Sequence, residues 1–295
     1  MPEIKSAVLK QSSVFWWLAG AFILVVFGSI AYLSGDYWVR GFDQAGKFFS
    51  HDFFFYLLVG LGAQLVDGAL GMAYGVTSTS FLLSLGVPPA ISSASVHVAE
   101  IFTTGASAVS HFRFKNINKK LFRSLLIPGI LGAVTGAYLL SDVIDGGVVK
   151  PFIAVYLAFL GVLILVKALA VKKKKSKTKR IGVLAAIGGF MDSIGGGGWG
   201  PIVTSTLLGQ GRDPRYTIGS VNAAEFGVTF ASGITFLILT GVSSWQVVAG
   251  LVIGGVIAAP FGALLVKRIS KRTLMLVVAV LVIALSIRTI WISWL

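Results

Sequence analysis

Asp192-Ser-Ile-Gly-Gly-Gly-Gly-Trp-Gly-Pro201 interrupts the apolar segment 181–211 with one acidic side chain and a run of glycines. Glycine at this density marks backbone that leaves a helix and allows close approach of a ligand or another chain segment. A half-helix then restarts, and Pro201 near its start fits the first turn, where a missing N–H costs little. A related stretch occurs earlier: Asp67-Gly-Ala-Leu-Gly-Met-Ala-Tyr-Gly75 breaks the apolar segment 53–86. The offset is 192 − 67 = 125, and it carries residues 67–110 onto the second half without a gap. Asp67 falls on Asp192, Gly71 on Gly196, Gly75 on Gly200, Thr79 on Thr204, Pro89 on Pro214, Ser95 on Ser220 and Glu100 on Glu225. Thr104 falls on Thr229 and Ser107 on Ser232, and one inserted residue then brings Gly129 and Gly136 to Gly255 and Gly262. This is an internal duplication.

The solvent of both halves follows from composition. Of 295 residues, 56% are hydrophobic and 12% charged, with 36 glycines, and the mean hydropathy is +0.88. These values describe an all-α integral membrane protein whose spans of about 20 apolar residues satisfy their own backbone. The chain has no cysteine, which excludes disulfides, thiolate metal sites and a cysteine-borne sulfur relay. The net charge of +14 resides in short connecting segments rather than in a nucleic-acid patch. By the positive-inside rule, Lys172–Arg180, the segment Arg113–Arg123 and the segment Lys267–Arg272 face the cytoplasm, whereas the acidic Ser141–Gly147 lies outside.

These anchors predict seven full spans at about 13–34, 88–110, 121–141, 150–170, 215–239, 245–267 and 273–294. The run Phe15–Leu33 is too long for a signal h-region and is expected to stay as the first span. Segments 53–86 and 181–211 read as two re-entrant hairpins of half-helices, or alternatively as pairs of short tilted spans. The organisation is then an N-terminal helix and outer connection (1–50), a first repeat (51–171), a basic cytoplasmic linker (172–180) and a second repeat (181–295). The loop after Ser110 lies inside by charge and its counterpart at Thr240–Trp245 outside by span count, so the repeats are expected to be inverted. The N-terminus is expected inside the cell and the C-terminus outside. Inverted repeats with matching broken helices point to a secondary transporter whose site lies near the bilayer midplane.

An ionisable group at that depth costs roughly 3 kcal/mol or more, which makes the acidic residues candidates for function. Glu100 and Glu225 are expected to carry coupling and protonation. His97 lies three residues before Glu100 on one helix face and forms a candidate protonatable pair with it, whereas Asn222 stands in the equivalent place before Glu225. Asp67 and Asp192 either cap the half-helix that follows or belong to the substrate loop. For a small anion the candidate binding groups are Gly71, Gly75, Gly196, Gly197, Gly198, Trp199 and Gly200 at the breaks. Hydroxyls and an amide join them at Thr77, Ser78, Thr79, Ser95, Thr204, Ser220 and Asn222. Free N–H groups at a half-helix start suit such a ligand. No cofactor and no metal is expected. Arg212 and Arg215 mark a cytoplasmic turn, and Arg288 is expected to snorkel beside Trp291 and Trp294.

A glycine-rich segment after an acidic residue, a half-helix, a proline turn and a Ser-x-x-x-x-Glu helix, all repeated after a polar linker, resembles the sulfite exporter TauE/SafE family. The resemblance covers roughly residues 53–290, with Gly195–Pro201, Gly219–Asn222 and Glu225 as its most specific stretches. It implies a permease for sulfite, sulfonates or related sulfur-containing anions, coupled to protons. The first half departs from an unbroken glycine run, and His97 replaces Asn222, which argues against a symmetric site. Two readings stand beside it: a sodium or divalent-cation carrier using the same carboxylates, and an intramembrane aspartyl protease, which lacks a Gly-x-Gly-Asp setting at Asp192.

Overall fold

A computed structural model describes residues 51–169, 180–241 and 244–294. The predicted first span and most of the basic linker lie outside the described residues. All regular structure within them is helical. Helix α1 (His51–Leu70) ends at Gly71, whose φ of 69° lies in the left-handed region that glycine adopts without strain. The chain resumes as α2 (Tyr74–Ser84), then α3 (Pro89–Arg113), α4 (Lys119–Tyr138) with a π turn (Leu139–Val143), and α5 (Gly146–Leu169). In the second half α6 (Ile181–Gly195) ends at Gly196, φ 62°. A π-helical stretch (Trp199–Thr204) leads into α7 (Ser205–Gly209), followed by α8 (Pro214–Thr240), α9 (Trp245–Arg268) and α10 (Lys271–Trp294). Both broken segments therefore turn at glycines related by the 125-residue offset. Both helices that follow, α3 and α8, begin with proline in the first turn, where its fixed φ favours the helix.

Among the described residues, four helical stretches are long and apolar enough to cross a membrane: Lys119–Val143, Gly146–Leu169, Pro214–Thr240 and Arg272–Trp294. Helix α3 is long, at 25 residues, but carries His97, Glu100 and several hydroxyls, which dilute its hydropathy. Helix α6 (Ile181–Gly195) is shorter and apolar, and the stretch Trp245–Ala259 of the 24-residue α9 is apolar as well. Helix α1 has 20 residues, a length of about 30 Å, and is more than a half-helix by size.

Packing exchanges the halves. Helix α1 of the first packs on α9 of the second, α6 of the second packs on α4 of the first, and α3 packs on α8, as α5 does on α10. In lipid there is no hydrophobic drive between helices, so close backbone approach through small residues supplies the attraction. A Cβ on Gly60 of α1 would sit 2.5 Å from the Leu251 carbonyl oxygen of α9, and Gly189 of α6 abuts the Gly129 carbonyl of α4. Two apolar cores result, with matched members. Tyr74, Leu82, Val96 and Ala99 pack in one, and Trp199, Leu207, Val221 and Ala224, each 125 positions on, pack in the other. A third core joins α5 and α10 through Leu157, Leu160, Val278 and Val282.

Helices α3 and α8 run antiparallel. Arg215 at the start of α8 donates from Nε to Asn116 Oδ1 (2.5 Å) and from Nη2 to the Phe114 carbonyl (3.2 Å), just beyond the end of α3. Midway, Thr104 Oγ1 meets Thr229 Oγ1 at 3.4 Å, so two residues related by the offset face one another. Towards the other end, His97 of α3 lies against the Phe236 ring of α8, with centroids 5.6 Å apart. Arg288, expected only to snorkel, donates from Nη1 to the Ser84 carbonyl at the end of α2.

Candidate functional site

Each break is held by its own aspartate. Asp67 Oδ1 accepts the backbone N–H of Ala73 (2.9 Å) and of Tyr74 (3.2 Å). Asp192 Oδ1 accepts those of Gly198 (2.6 Å) and Trp199 (2.9 Å), the same six- and seven-residue spacing. A helix that restarts inside a bundle exposes unpaired N–H groups and a positive dipole end, and a carboxylate satisfies both. These are the first N–H groups that the sequence offers to an anion, and here the aspartates already occupy them.

The two breaks cross backbone to backbone. A Cβ on Gly75 would lie 2.7 Å from the Gly196 carbonyl oxygen, 2.9 Å from Gly197 Cα and 3.0 Å from Glu100 Oε1. A Cβ on Gly200 would lie 2.5 Å from the Met72 carbonyl oxygen. Thr79 Oγ1 donates to the Gly196 carbonyl at 2.7 Å, binding α2 to the opposite break. Glycine at Gly75, Gly197 and Gly200 is thus required by mutual approach of two main chains.

Beside this crossing lies a cavity of about 310 Å³. Its wall includes Asp67, Gly71 and Gly75 from the first break, Asp192, Gly197, Gly198 and Gly200 from the second, and Glu100, Asn222 and Glu225 from α3 and α8. Glu100 is buried, with 5% of its surface exposed, and Glu225 is half-buried. Four carboxylates therefore border one small space, and no described residue lining it is lysine or arginine. Lys167 of α5 sits behind the second break, its Nζ donating to the Pro201 carbonyl at 2.9 Å.

Other residues singled out from the sequence lie elsewhere. Trp199 is fully buried in a core and donates from Nε1 to the Val221 carbonyl (3.4 Å). Thr77, Ser78 and Thr204 are buried in the restarted helices and do not line the cavity. Ser95 borders a separate small hollow with Leu237 and Val248. Ser220 Oγ accepts the Asn118 N–H (2.8 Å) and donates to the Tyr216 carbonyl (2.7 Å), which makes it a helix-to-loop tie. Gly196 touches Thr79 instead of the cavity.

His97 also takes a different partner from the one expected. Its Nε2 faces Asp192 Oδ2 at 3.3 Å, across the boundary between the halves, while its Nδ1 lies 2.8 Å from the Ser93 carbonyl oxygen. Glu100 stays near: one ligand-type atom from each of His97, Glu100 and Asp192 falls within 4.8 Å of the others. That triangle is looser than the about 3.3 Å between neighbouring ligands of a tetrahedral ion with bonds of about 2 Å.

The wall also contains Gln64, Thr103, Thr104, Ser107 and His111, none of which was picked from the sequence. A signal for four of them exists. Thr103, Thr104, Ser107 and His111 follow Glu100 at three, four, seven and eleven residues, the period of one helix face. Thr104 Oγ1 donates to the Glu100 carbonyl (2.5 Å), and Thr229 Oγ1 does the same to the Glu225 carbonyl (3.0 Å).

Comparison with known proteins agrees with this architecture. No solved structure matches the chain. It is 42% identical over 249 residues to "Probable membrane transporter protein YtnM" of Bacillus subtilis (strain 168), covering 81% of this chain and 83% of that one. The family model for sulfite exporter TauE/SafE matches residues 56–289, which include both glycine breaks and every residue of the cavity wall, and the chain belongs to that family of membrane transporters.

Proposed function

We propose that this transporter moves a small sulfur-containing anion, such as sulfite or an organosulfonate, together with protons, by alternating access at the boundary between two inverted repeats. The observation that carries the reading is the cavity wall: two crossed glycine breaks, four carboxylates and, among the described residues, no lysine or arginine. Like charges about 5 Å apart repel by about 3 kcal/mol at an effective dielectric of about 20. An anion therefore enters favourably only when carboxylates beside it are protonated, and releasing those protons expels it. Glu100 and Glu225 are the groups we assign to this exchange. Ser107, whose Oγ accepts from Asn222 and so keeps its own hydrogen, and the second amide hydrogen of Asn222 supply neutral donors for the anion.

The antiparallel α3/α8 pair and the exchanged packing of α1, α4, α6 and α9 support inversion. In this arrangement the N-terminus and the linker at 172–180 face the cytoplasm and the C-terminus faces outward. Since the chain has no native cysteine, single cysteines at Lys120 and Ser243 can be labelled without background. Impermeant reagent is expected to reach them from opposite faces of the membrane; labelling from one face would remove the inversion.

The same acidic wall favours a second reading, a sodium or divalent-cation carrier. Sulfite flux into proteoliposomes separates the two. Uptake driven by a pH gradient and abolished by a protonophore is expected, whereas strict dependence on sodium or a metal ion would replace the proton-coupled reading with the cationic one.

A further inference from the structure

We infer that His97 and Asp192 hold one exchangeable proton between them and that this pair ties proton occupancy to the shape of the cavity wall. A backbone carbonyl can only accept, so the Ser93 carbonyl at 2.8 Å places a hydrogen on His97 Nδ1. The neutral ring then presents the lone pair of Nε2 to Asp192 Oδ2, 3.3 Å away. Both atoms are buried without a hydrogen-bond partner. A single added proton satisfies both, as imidazolium with carboxylate or as imidazole with carboxylic acid. Without it, two lone pairs confront each other away from water, and the pair separates.

Separation has a mechanical consequence. Asp192 grips the second break through its other oxygen, which accepts the Gly198 and Trp199 N–H groups. Gly198 and Gly200 are cavity wall, so a shift of this carboxylate is transmitted to the substrate space. The first break, held by Asp67, has no such device: Asn222 stands in the place equivalent to the imidazole, and its Nδ2 donates to Ser107 Oγ at 3.0 Å. The groups facing the pair are Glu100 from α3, Tyr156 from α5, whose hydroxyl donates to the Gly197 carbonyl at 3.4 Å, and Phe236 from α8. Asp67 and Glu225 lie around the same cavity, and Lys167 reaches the break from behind.

This assignment rests on the proton-coupled transport reading and adds a proton site to Glu100 and Glu225. Its test compares sulfite accumulation driven by a pH gradient with sulfite/sulfite exchange, which needs no net proton movement, in proteoliposomes of wild type, Asp192→Asn and His97→Gln. The asparagine keeps an oxygen for the Gly198 and Trp199 N–H groups and offers N–H to Nε2, imitating the protonated pair permanently. Accumulation is expected to fall at least tenfold more than exchange in both variants, with a flattened pH profile. Equal losses in both assays, or no loss in either, would overturn the pair's role in coupling. Failure of wild type to use a pH gradient would instead remove the underlying transport reading.

Nitrogen-15 NMR of labelled histidine in the full-length wild type, which has three histidines, tests the proton itself without transport or a folded variant. His97 is expected to keep hydrogen on Nδ1 at every pH and to exchange one proton at Nε2. A neutral ring with its hydrogen on Nε2 would sink the proposal.

Discussion

Gly197→Ala is expected to destabilise the folded transporter by about 3 kcal/mol or more, the upper range for overpacking, and to abolish sulfite flux. The new methyl would lie 2.5 Å from the Gly75 carbonyl carbon and 2.7 Å from Val76 Cα, both main chain of the opposite break. A flexible side chain could swing aside; two crossing backbones cannot, because each is pinned by its aspartate through Oδ1. Relief would require the breaks to part, and both of them line the cavity. Loss of the monodisperse peak and a lower melting temperature in detergent are the readouts. Gly62→Ala in α1 is the comparison, since a Cβ there meets nothing within 4 Å and alanine favours a helix interior by up to about 1 kcal/mol. Equal melting temperatures for Gly197→Ala and wild type would show that the two main chains do not cross this closely.

Glu100→Gln is expected to leave folding intact while lowering proton-driven sulfite flux at least tenfold, about 1.4 kcal/mol in the governing equilibrium. The amide has the shape of the protonated acid and removes a buried charge that is costly in the bilayer interior, so stability is retained or improved. What disappears is the ability to become negative and expel the anion. Binding measured without a gradient should therefore survive better than transport. Glu225→Gln should follow the same pattern more weakly, because Glu225 is half-buried whereas Glu100 is buried beside His97 and Asp192. Wild-type flux in both variants would exclude the glutamates from coupling.

Much of this architecture is legible in one dimension because helices in lipid must satisfy their own backbone and because a duplication preserves spacing. The breaks at Gly71 and Gly196 follow from glycine beside an acidic residue in apolar sequence, and their left-handed φ values agree. Of the two roles offered for Asp67 and Asp192, the hydrogen bonds to the restarting backbone at both sites match the capping one. The hydroxyl assignments were less readable. Ser95 and Ser220 align with one another and precede the glutamates, yet each is turned away from the cavity. The cavity-lining face of α3 instead runs forward from Glu100 to His111. Deciding between these faces requires knowing which side of α3 meets α8, and periodicity alone leaves that rotation open.

By itself the sequence determined an integral membrane protein, a duplicated pair of broken helices, and carboxylates placed where charge is expensive. These are properties of composition, spacing and backbone chemistry, local to each segment. Only the tertiary structure decided that the two breaks touch each other and that His97 pairs with Asp192 instead of Glu100. Those outcomes depend on distances between residues about a hundred positions apart, set by the small-residue contacts that let helices approach. A partner across such a gap is chosen by packing geometry, which no local pattern encodes.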